Sequence, residues 1–536
     1  MHLFVVGPPG IGKSTIAPLL AAKLGASVIE TDRAIARRAR KSNKDVIEQD
    51  GMDRFHDLES RVIAALRPTP AWIVVDTGGG APIREENRTR MRELGLIIGL
   101  RGSVERITAG IAATMAKRPN ADATGPLYVA PGDRARTVLR ERKAAYADAD
   151  VTFDVDRDAT AEESAHAIAA WLVAARGIRV DVGAERPYPV LVRAGLLDQV
   201  GTHLGDLGWS GRVAIVSEAA AAARYEARLV RSLEHAGFDP VTLRVPTGEG
   251  AKSVRAVAKL WADLAEAGLG RDGGIVALGG GAVGDATGFA AATYLRGVRV
   301  AQVPTTLLGM VDAAIGGKTA IDIPAGKNLV GAFHAPDAVF ADTGVLATLP
   351  QRQLSSGLAE VVKSAFLADR DAVAHVDRSL DAVLRGEIGP QLSIVALAVQ
   401  VKAGIVTLDP LETGLRELLN FGHTLGHAYE AASGYSVTHG EAVAIGLVYA
   451  SALSETLGLA PRSLRVDVER LLARARLPIR ARLTREVWTY LQRDKKARAG
   501  KVRWILPRRI GLFSEVTDVG DSTLREAARL LQGRAA

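Results

Sequence analysis

The N-terminal sequence MHLFVVGPPGIGKST joins a short apolar run directly to a glycine-rich loop that ends in Lys13 and Ser14. The loop fits the pattern GxxxxGK[ST], whose backbone N–H groups turn inward around phosphate groups at a helix N-terminus. Such a loop needs a strand before it and a helix after it, so the chain is expected to begin with a parallel α/β layer. The Ser14 hydroxyl would hold Mg²⁺. The predicted nucleotide site comprises Gly7, Gly10, Gly12, Lys13, Ser14 and Thr15.

The length and composition limit the architecture and the kinds of ligand. A chain of 536 residues is too long for one hydrophobic core, so two or three domains are expected. The sequence has no cysteine, so any metal must be held by His, Asp or Glu. The net charge of +8 is dispersed, which favours an enzyme of anionic small molecules over a nucleic-acid-binding protein. No stretch approaches the roughly 20 apolar residues of a membrane span, and a cytoplasmic location is expected.

Apolar runs alternate with amphipathic helical patterns along most of the chain. HLFVV, WIVVD and LGLIIGL are predicted to be buried strands, and an Ala-rich helix that starts near Thr160 is predicted to end before Gly177. Beyond Asp342 the strand signals fade and long helical patterns begin. The predicted domains are 1–176, a P-loop domain with a parallel sheet, 177–342, a Rossmann-like α/β domain, and 343–536, a mainly α-helical domain.

A second glycine-rich loop runs from Gly279 through Gly280 and Gly281 to Asp285, after the strand pattern GIVAL and before a helical pattern. Such a loop lets the pyrophosphate of a dinucleotide approach backbone amides at a helix N-terminus. A plain turn is the default explanation for three glycines alone.

Three of the ten histidines, His423, His427 and His439, fall in one short segment that is predicted to fold as helix, loop and helix. His423 and His427 are one helical turn apart, so spacing alone would make both of them metal ligands. Glu430 and Glu441 lie beside them in the sequence. In a chain without cysteine, this cluster predicts a metal site.

Six basic residues are scattered between positions 252 and 416. Any one lysine would ordinarily be solvated, but several stand in glycine-rich or apolar contexts such as IGGKTA and AGKNLV, where a solvated position is the less natural explanation. Together they predict the binding of a multiply anionic ligand. They are Lys252, Lys318, Lys327, Lys363, Lys402 and Arg416.

Residues 1–176 resemble shikimate kinase in the order and spacing of the phosphate loop, Glu30-Thr-Asp32, the three glycines from Gly78, and Lys117-Arg118-Pro119. The resemblance implies transfer of the ATP γ-phosphate to shikimate, giving shikimate 3-phosphate with the help of Mg²⁺. Taken alone, the glycines would be a turn and Asp32 a helix cap. The implied contacts are Asp32 with substrate hydroxyls, Gly79 and Gly80 with the substrate, Arg142 with its carboxylate, and Arg118 with the ATP phosphates.

Two residues depart from that family's pattern. Glu30 stands where an Asp is usual, and His56 stands where the family has a second carboxylate-binding Arg. A neutral imidazole binds a carboxylate far less well than a guanidinium, which can form a bidentate pair. Two hypotheses therefore stand for this module: a shikimate kinase, or an ATP-binding regulatory domain or kinase of another acceptor.

From about Gly177 onward, the chain resembles 3-dehydroquinate synthase through DATGFAAATYLRG, VPTTLLGMVDAAIGGKTAID, GKNLVGAFHAP, GLAEVVK, LNFGHTLGHAYE and HGEAVAIG. The resemblance implies conversion of 3-deoxy-D-arabino-heptulosonate 7-phosphate to 3-dehydroquinate with release of phosphate. The implied steps are transient oxidation by NAD, β-elimination and aldol closure. Glu360, His423 and His439 would hold Zn²⁺ or Co²⁺, while His427 would lie beside the substrate.

The same resemblance implies roles for the remaining candidates. Lys318 and Arg416 would bind the substrate carboxylate, and Lys402 and Asp312 its hydroxyls. Arg296 would reach the phosphate across a homodimer interface. The residues expected around the phosphate or ring are Asn328, Lys363, Asn420 and His427, and Lys327 is a further candidate catalytic residue. The residues expected around NAD are Glu249, Lys252, Gly280, Gly281, Asp285, Thr305 and Thr306.

Two other enzyme classes share parts of this pattern. Related cyclases accept other sugar phosphates, but a neutral sugar phosphate has no carboxylate to pair with Arg416 and Lys318. Glycerol-dehydrogenase-like enzymes share the glycine loop and a metal site, and the whole LNFGHTLGH segment argues against them.

Overall fold

Two parallel sheets organise the chain, one in each of two units that span residues 1–172 and 173–536. The structure is a computed structural model, and it describes residues 1–116, 131–157, 160–434, 436–497 and 502–532. The predicted α/β class is therefore found in both units.

The first unit is built on a five-stranded parallel sheet with the order β2-β3-β1-β4-β5. Its strands are β1 His2–Val6, β2 Ser27–Glu30, β3 Ile73–Asp76, β4 Gly95–Arg101 and β5 Val151–Asp154. Its helices are α1 Lys13–Leu24, α2 Thr31–Ala39, α3 Asn43–Asp45, α4 Met52–Ala65, α5 Glu85–Leu94, α6 Val104–Ala116, α7 Pro131–Ala147 and α8 Ala161–Ala170. The predicted apolar runs become the central strands, since helices cover both faces of a parallel sheet.

Helix α8 begins as the sequence predicts. The Thr160 hydroxyl accepts a hydrogen bond from the Glu163 N–H, and the Glu163 carboxylate accepts one from the Thr160 N–H. This capping box satisfies two backbone donors that a helix start otherwise leaves unpaired.

The second unit holds a seven-stranded sheet with the order β6-β7-β14-β11-β10-β8-β9, in which β6 and β7 are antiparallel and the other neighbours are parallel. Its strands are β6 Ile178–Val182, β7 Tyr188–Arg193, β8 Arg212–Ser217, β9 Asp239–Arg244, β10 Gly274–Gly279, β11 Arg299–Pro304 and β14 Ala338–Asp342. Two antiparallel hairpins lie outside it, β12 Lys318–Ile323 with β13 Gly326–Phe333, and β15 Trp504–Arg509 with β16 Leu512–Val516.

Helices pack on this sheet and then dominate the sequence beyond it. Those within the sheet region are α9 Val200–Asp206, α10 Ala219–Ala221, α11 Ala227–His235, α12 Val254–Glu266 and α13 Gly281–Thr293. Those that follow are α14 Gln351–Ala368, α15 Arg370–Leu384, α16 Ile388–Leu408, α17 His423–Ala432, α18 His439–Thr456, α19 Arg462–Arg474, α20 Arg485–Ala497 and α21 Asp521–Gln532.

Helix α16 corrects one expectation from the sequence. Among the described residues it is the one helix long and apolar enough to cross a membrane by length and composition, whereas the sequence analysis found no such stretch. Two thirds of its apolar window, 67%, is buried inside the protein. Core helices that are hydrophobic all round have this property, so the feature is weak support for a membrane span.

Helices α17 and α18 approach each other at a pair of glycines. Gly422 adopts a left-handed conformation (φ +82°) just before α17, and its carbonyl oxygen faces Gly446 of α18. A Cβ atom on Gly446 would lie 1.8 Å from that oxygen, so no side chain fits there. This contact holds the start of α17, where His423 lies, close against α18, which begins at His439 two turns before Gly446.

We predict that Gly446→Ala lowers the free energy of unfolding of the second unit by about 1–3 kcal/mol, because the added methyl group must displace backbone. Denaturant unfolding would measure this. Gly404→Ala is the control, since Gly404 lies within α16 with no atom within 4 Å of its Cβ position. That variant should be unchanged or slightly more stable. Equal stability of the two variants would contradict the importance of the glycine contact.

Candidate active sites

The phosphate loop lies between β1 and α1, as its pattern predicts. Gly12 caps α1 with φ +107°, a backbone conformation that favours glycine. The Lys13 ammonium is buried and donates hydrogen bonds to the carbonyl oxygens of Gly7 (2.9 Å) and Pro8 (3.1 Å). Burial lowers the pKa of Lys13, and the carboxylates of Asp76 and Asp32 oppose this shift.

Asp76 is a residue of this site that the sequence analysis did not single out. It ends β3, the strand that pairs with β1, and its pKa is raised by burial although Ser14 and Lys13 stabilise the carboxylate. In a parallel sheet, the last residue of a strand lies at the same edge as the loop that follows the neighbouring strand. The position of Asp76 at the end of a predicted strand is therefore the signal that could have identified it.

The three-glycine turn after β3 is enclosed by polar side chains. A Cβ atom on Gly78 would lie 2.3 Å from Glu59 Oε1 and 3.0 Å from Asp32 Oδ1, and one on Gly80 would lie 2.4 Å from His56 Cε1. The backbone of this turn therefore lies in contact with the side chains of Asp32, His56 and Glu59. Ligands can approach such a turn closely because it carries no side chains.

Arg142 also reaches this turn. Its Nη1 donates to the carbonyl oxygen of Gly79 at 2.9 Å, and the Tyr146 hydroxyl donates to the same oxygen at 2.7 Å. The structure thus brings Asp32, Gly79, Gly80 and Arg142 of the predicted acceptor site together. Arg118 lies outside the described residues.

His56 is held by a carboxylate that the sequence analysis missed. Its Nδ1 lies 2.7 Å from Oε2 of Glu59, a residue that is 1% exposed. The other oxygen of Glu59 has no hydrogen-bond partner among the described residues. The spacing of three residues on α4 is the signal that could have linked the two side chains.

The second glycine loop lies at the carboxyl edge of the seven-stranded sheet. Gly280 caps α13, and the Thr305 N–H donates to the carbonyl oxygen of Gly279 at 2.9 Å. Because β10 and β11 are parallel neighbours, the loop and Thr305 meet at one edge. The methyl group of Thr306 lies 3.4 Å from the Cβ position of Gly280.

The 3-10 segment Gly248–Lys252 connects to this loop. The Lys252 ammonium donates to Asp285 Oδ2 at 2.6 Å and also to the Asn328 side chain. Burial raises the pKa of Asp285 to about 6, although Lys252 opposes the shift. Glu218, which the sequence analysis missed, directly follows β8 and accepts from the Gly248 N–H at 3.1 Å.

Glu360, His423 and His439 form the one group among the described residues in which three such side chains could hold a metal ion. One potential ligand atom from each lies within 4.8 Å of the others. The Nε2 atoms of His423 and His439 lie 3.4 and 3.7 Å from Glu360 Oε1, a buried atom that has no hydrogen-bond partner within the described part of the chain. Two imidazoles and a carboxylate suit zinc or cobalt and leave positions for further ligands.

A further set of contacts orients the two imidazoles. His423 Nδ1 lies 3.2 Å from the Phe421 carbonyl oxygen, and His439 Nδ1 lies 3.4 Å from Glu430 Oε2. These contacts turn both Nε2 atoms toward Glu360, as the outer contacts of metal-binding histidines usually do. Burial lowers the pKa of His439, but its two carboxylate neighbours outweigh this and raise it to about 9. They stabilise a positive charge at this point, which a divalent cation would also supply.

His427 is not a member of the three-residue group, so spacing alone is misleading. Its ring centroid lies 5.2 Å from that of His423, and both line a cavity with Asn420. Burial lowers the pKa of His427 to about 4. The sequence analysis did not single out Glu417 and Arg503, which also line this cavity and pair at 2.7 Å.

Buried ion pairs surround the cluster. Lys363 pairs with Glu360 and donates to the Leu419 carbonyl oxygen at 2.8 Å. Lys402 donates to Asp312 Oδ1 at 2.5 Å. Burial raises the pKa of Asp312, but Lys402 and Lys363 outweigh it, and the net pKa is lowered.

Lys327 links the glycine-loop region to the cluster. Its ammonium lies 3.1 Å from Glu249 Oε1 and 3.2 Å from Glu430 Oε1. Because Glu430 contacts His439, a continuous set of polar contacts joins Glu249 to the group that could hold a metal.

Lys318 differs from its expected environment. Its side chain is 47% exposed, so the glycine-rich context did not predict burial correctly, and it pairs with Glu412 at 2.5 Å. Arg416 is 1% exposed, and its guanidinium donates to the carbonyl oxygens of Gly316 (2.9 Å) and Pro410.

An α/β unit that combines a glycine loop with a buried His–His–Glu group has the architecture of a metal-dependent, dinucleotide-using enzyme. Residues 242–356 and 357–497 match the N-terminal and C-terminal family models of 3-dehydroquinate synthase, and residues 9–173 match that of shikimate kinase. The chain belongs to the 3-dehydroquinate synthase family and carries a shikimate kinase domain at its N-terminus.

The similar proteins agree with this assignment. The 3-dehydroquinate synthase of Symbiobacterium thermophilum is 42% identical over 354 residues, which cover 65% of this chain and 98% of that protein. A solved 2-epi-5-epi-valiolone synthase from Streptomyces hygroscopicus, with NAD⁺ and Zn²⁺ bound, is 30% identical with a TM-score of 0.59 and covers 65% of this chain and 98% of its own. A 2-deoxy-scyllo-inosose synthase complexed with carbaglucose-6-phosphate, NAD⁺ and Co²⁺ is 25% identical with a TM-score of 0.58 and covers 66% of this chain and 100% of its own.

We predict that Glu430→Gln weakens metal binding about 10–100-fold, because His439 loses the carboxylate that orients it. Metal content after dialysis against a graded chelator series would measure this. Glu441→Gln is the matched control: Glu441 caps α18 and pairs with Arg352 at 2.7 Å. Its metal affinity should equal that of the parent protein. Equal loss of metal in both variants would contradict the proposed role of Glu430.

Proposed function

We propose that the residue groups described above perform the two reactions of a bifunctional shikimate-pathway enzyme. The N-terminal unit transfers the ATP γ-phosphate to shikimate, giving shikimate 3-phosphate. The second unit converts 3-deoxy-D-arabino-heptulosonate 7-phosphate to 3-dehydroquinate with release of phosphate. The observation that carries the second assignment is that one unit contains both the Glu360–His423–His439 group and a buried arginine, Arg416, that binds no carboxylate of the described residues.

Arg416 supports an acidic substrate. Its guanidinium is buried and hydrogen-bonded to two backbone carbonyl oxygens, so its charge lacks an anionic hydrogen-bond partner among the described residues. A substrate carboxylate would form the charge-assisted pair that such a group favours. A sugar phosphate that has no carboxylate would leave the charge of Arg416 unpaired. This favours 3-dehydroquinate synthase over a related cyclase.

The cofactors follow from the same groups. Glu360, His423 and His439 would hold Zn²⁺ or Co²⁺, which supplies Lewis acidity toward substrate oxygens. NAD would lie at the edge where Gly280 caps α13, with its pyrophosphate near the helix N-terminus, and it supplies a reversible hydride acceptor. The residues proposed for NAD are Glu249, Lys252, Gly280, Gly281, Asp285, Thr305 and Thr306.

The chain's own side chains then orient the substrate and exclude water. Lys402 and Asp312 form a buried pair beside Glu360, where they would donate to and accept from substrate hydroxyls. Asn420 and His427 line the cavity, and a His427 that stays neutral can accept or donate a proton there. Lys318 and Arg416 would hold the carboxylate. The other residues proposed near the phosphate or ring are Lys327, Asn328 and Lys363.

The kinase half would bind ATP and Mg²⁺ at the phosphate loop. Lys13 already donates to loop carbonyl oxygens and would exchange these for phosphate oxygens. The loop residues proposed for ATP are Gly7, Gly10, Gly12, Lys13, Ser14 and Thr15, with Ser14 on Mg²⁺, and Arg118 completes the set. Asp32, Gly79, Gly80 and Arg142 would bind shikimate, with His56 held by Glu59 at the same turn.

A homodimer through the synthase half completes the proposal. Arg296 is exposed, adopts φ +66°, and has no ion-pair partner among the described residues. Leu295 beside it, and Leu329 and Phe333 of the β12–β13 hairpin, are exposed apolar residues. A partner subunit would cover such residues and receive Arg296 in its phosphate site. A cytoplasmic location, with small anionic substrates rather than nucleic acid or membrane as partners, belongs to the same proposal.

We predict that single substitutions separate the two activities. In the full chain, Lys13→Ala should abolish shikimate-dependent ADP formation and leave phosphate release from the heptulosonate phosphate unchanged, since Lys13 lies only in the phosphate loop. His423→Ala should do the reverse and should also lose bound zinc. Coupled assays of both reactions on each variant would test this. Retained nucleotide binding without any turnover of shikimate in the parent protein would favour a regulatory N-terminal module.

We also predict that two inactive subunits complement each other. Arg296→Ala and His423→Ala homodimers should each be inactive in phosphate release, but co-expressed subunits should regain activity in the heterodimer, where one site has both residues intact. Purification by two different affinity tags would isolate that heterodimer. Activity that stays absent would contradict a shared site, and a monomer in sedimentation would contradict the dimer.

A further inference from the structure

Residues 409–414 form a loop whose base is rigidly held. The Asp409 carboxylate accepts hydrogen bonds from the N–H groups of Thr413 (2.9 Å), Gly414 (2.8 Å) and Arg416 (2.9 Å). The bond from the Arg416 backbone contributes most to lowering the pKa of Asp409, to about 2. The base is therefore fixed against the segment that carries Arg416.

The tip of this loop places a carboxylate among the proposed substrate contacts. Glu412 adopts a left-handed conformation (φ +59°), which a residue with a side chain rarely takes. Its Oε2 atom lies 2.5 Å from the Lys318 ammonium, and its Oε1 atom accepts from Asn420 Nδ2 at 3.4 Å. Of the charged groups near Arg416, Glu412 acts most strongly against the lowering of its pKa by burial.

The same loop covers Arg416. The Pro410 carbonyl oxygen accepts a hydrogen bond from Nη1, Gly316 binds Nη2, and the guanidinium lies over the Phe333 ring at 5.8 Å. Nε is buried and has no partner among the described residues. Arg416 is 1% exposed, and a ligand carboxylate can bind its Nη1 atom only after the Pro410 carbonyl oxygen has left it.

We propose that Glu412 is a positioning residue whose carboxylate occupies the place of the substrate carboxylate in the free protein. This inference rests on the proposed role of Lys318, Asn420 and Arg416 in binding that carboxylate. The incoming carboxylate replaces Glu412 on Lys318, the loop tip moves toward solvent, and the Pro410 carbonyl leaves Arg416. The substrate anion then pairs with both cations.

The charges decide the direction of the effect. Glu412 neutralises Lys318 at hydrogen-bond distance, so a second anion must compete with it. If Glu412 served only to hold Lys318 in place, its loss would weaken binding of the substrate. Because Glu412 carries the same charge as the group that replaces it, its loss should strengthen that binding.

The test uses the full chain with NAD and zinc, and measures phosphate release from 3-deoxy-D-arabino-heptulosonate 7-phosphate. Glu412→Gln should lower KM about fivefold, the upper end for a partly exposed ion pair, and leave kcat within about twofold. Glu455→Gln is the control, because it breaks a comparable pair with Arg465 (2.6 Å) outside the site, and its KM should equal that of the parent.

A double-substitution cycle tests whether the effect acts through Lys318. In a Lys318→Gln background, adding Glu412→Gln should change KM much less, because no ammonium is left to compete for and only the weaker effect of Glu412 on Arg416 remains. Thermal shift titration with 3-dehydroquinate, which carries the carboxylate but no phosphate, gives a readout without turnover. Half-saturation should fall about fivefold in Glu412→Gln, in line with KM.

The outcomes separate this inference from the proposed function. A parent protein that releases no phosphate would contradict the proposed function. An active parent with an unchanged or raised KM in Glu412→Gln would contradict only the role of Glu412, as would an equal drop of KM in the Lys318→Gln background.

Discussion

The synthase half depends on one buried carboxylate, Glu360. It is 1% exposed on α14, pairs with Lys363, and lies within 3.7 Å of the Nε2 atoms of His423 and His439. Removing one partner from such a buried pair leaves an uncompensated charge, which costs about 3–5 kcal/mol. Lys363, on the same helix, supplies the paired positive charge, and α17 and α18 each begin with one of the two histidines that face Glu360.

From Glu360 the contacts extend outward in two directions. His439, Glu430 and Lys327 lead to Glu249 beside the glycine loop, and Lys363 leads to the backbone of Leu419 near the cavity. Along the first route the charges alternate, so each group is held by the next, whereas the second route ends at a backbone carbonyl oxygen. The 409–414 loop lies at the substrate end of this arrangement, where Glu412 gives Lys318 a temporary partner.

Sequence patterns predicted the central strands, the glycine loops and a helix start, because strand–glycine–helix order and helix spacing are local properties, whereas the resemblances to two families supplied most of the candidate site residues. They did not identify Glu59, Asp76, Glu218 or Glu412. Glu59 lies one helical turn from His56, a spacing that the sequence analysis did not use, whereas the contacts of the other three depend on strand order or on a loop conformation. Lys318 shows a similar limit: a glycine-rich context predicted burial, but the exposure of 47% follows from the start of an outlying hairpin. Spacing alone would pair His427 with His423, whereas the family resemblance implied His439, and the structure groups His439 with His423 and Glu360.

Each of the two units is built around its own sheet, and both units belong to a single polypeptide. Translation of one message therefore produces kinase and synthase sites in a fixed one-to-one ratio, whatever the level of expression. Two enzymes that act at separate steps of one pathway would then rise and fall together in abundance. A mutation that destabilises either unit enough for the cell to degrade the chain would therefore remove both enzyme activities at once.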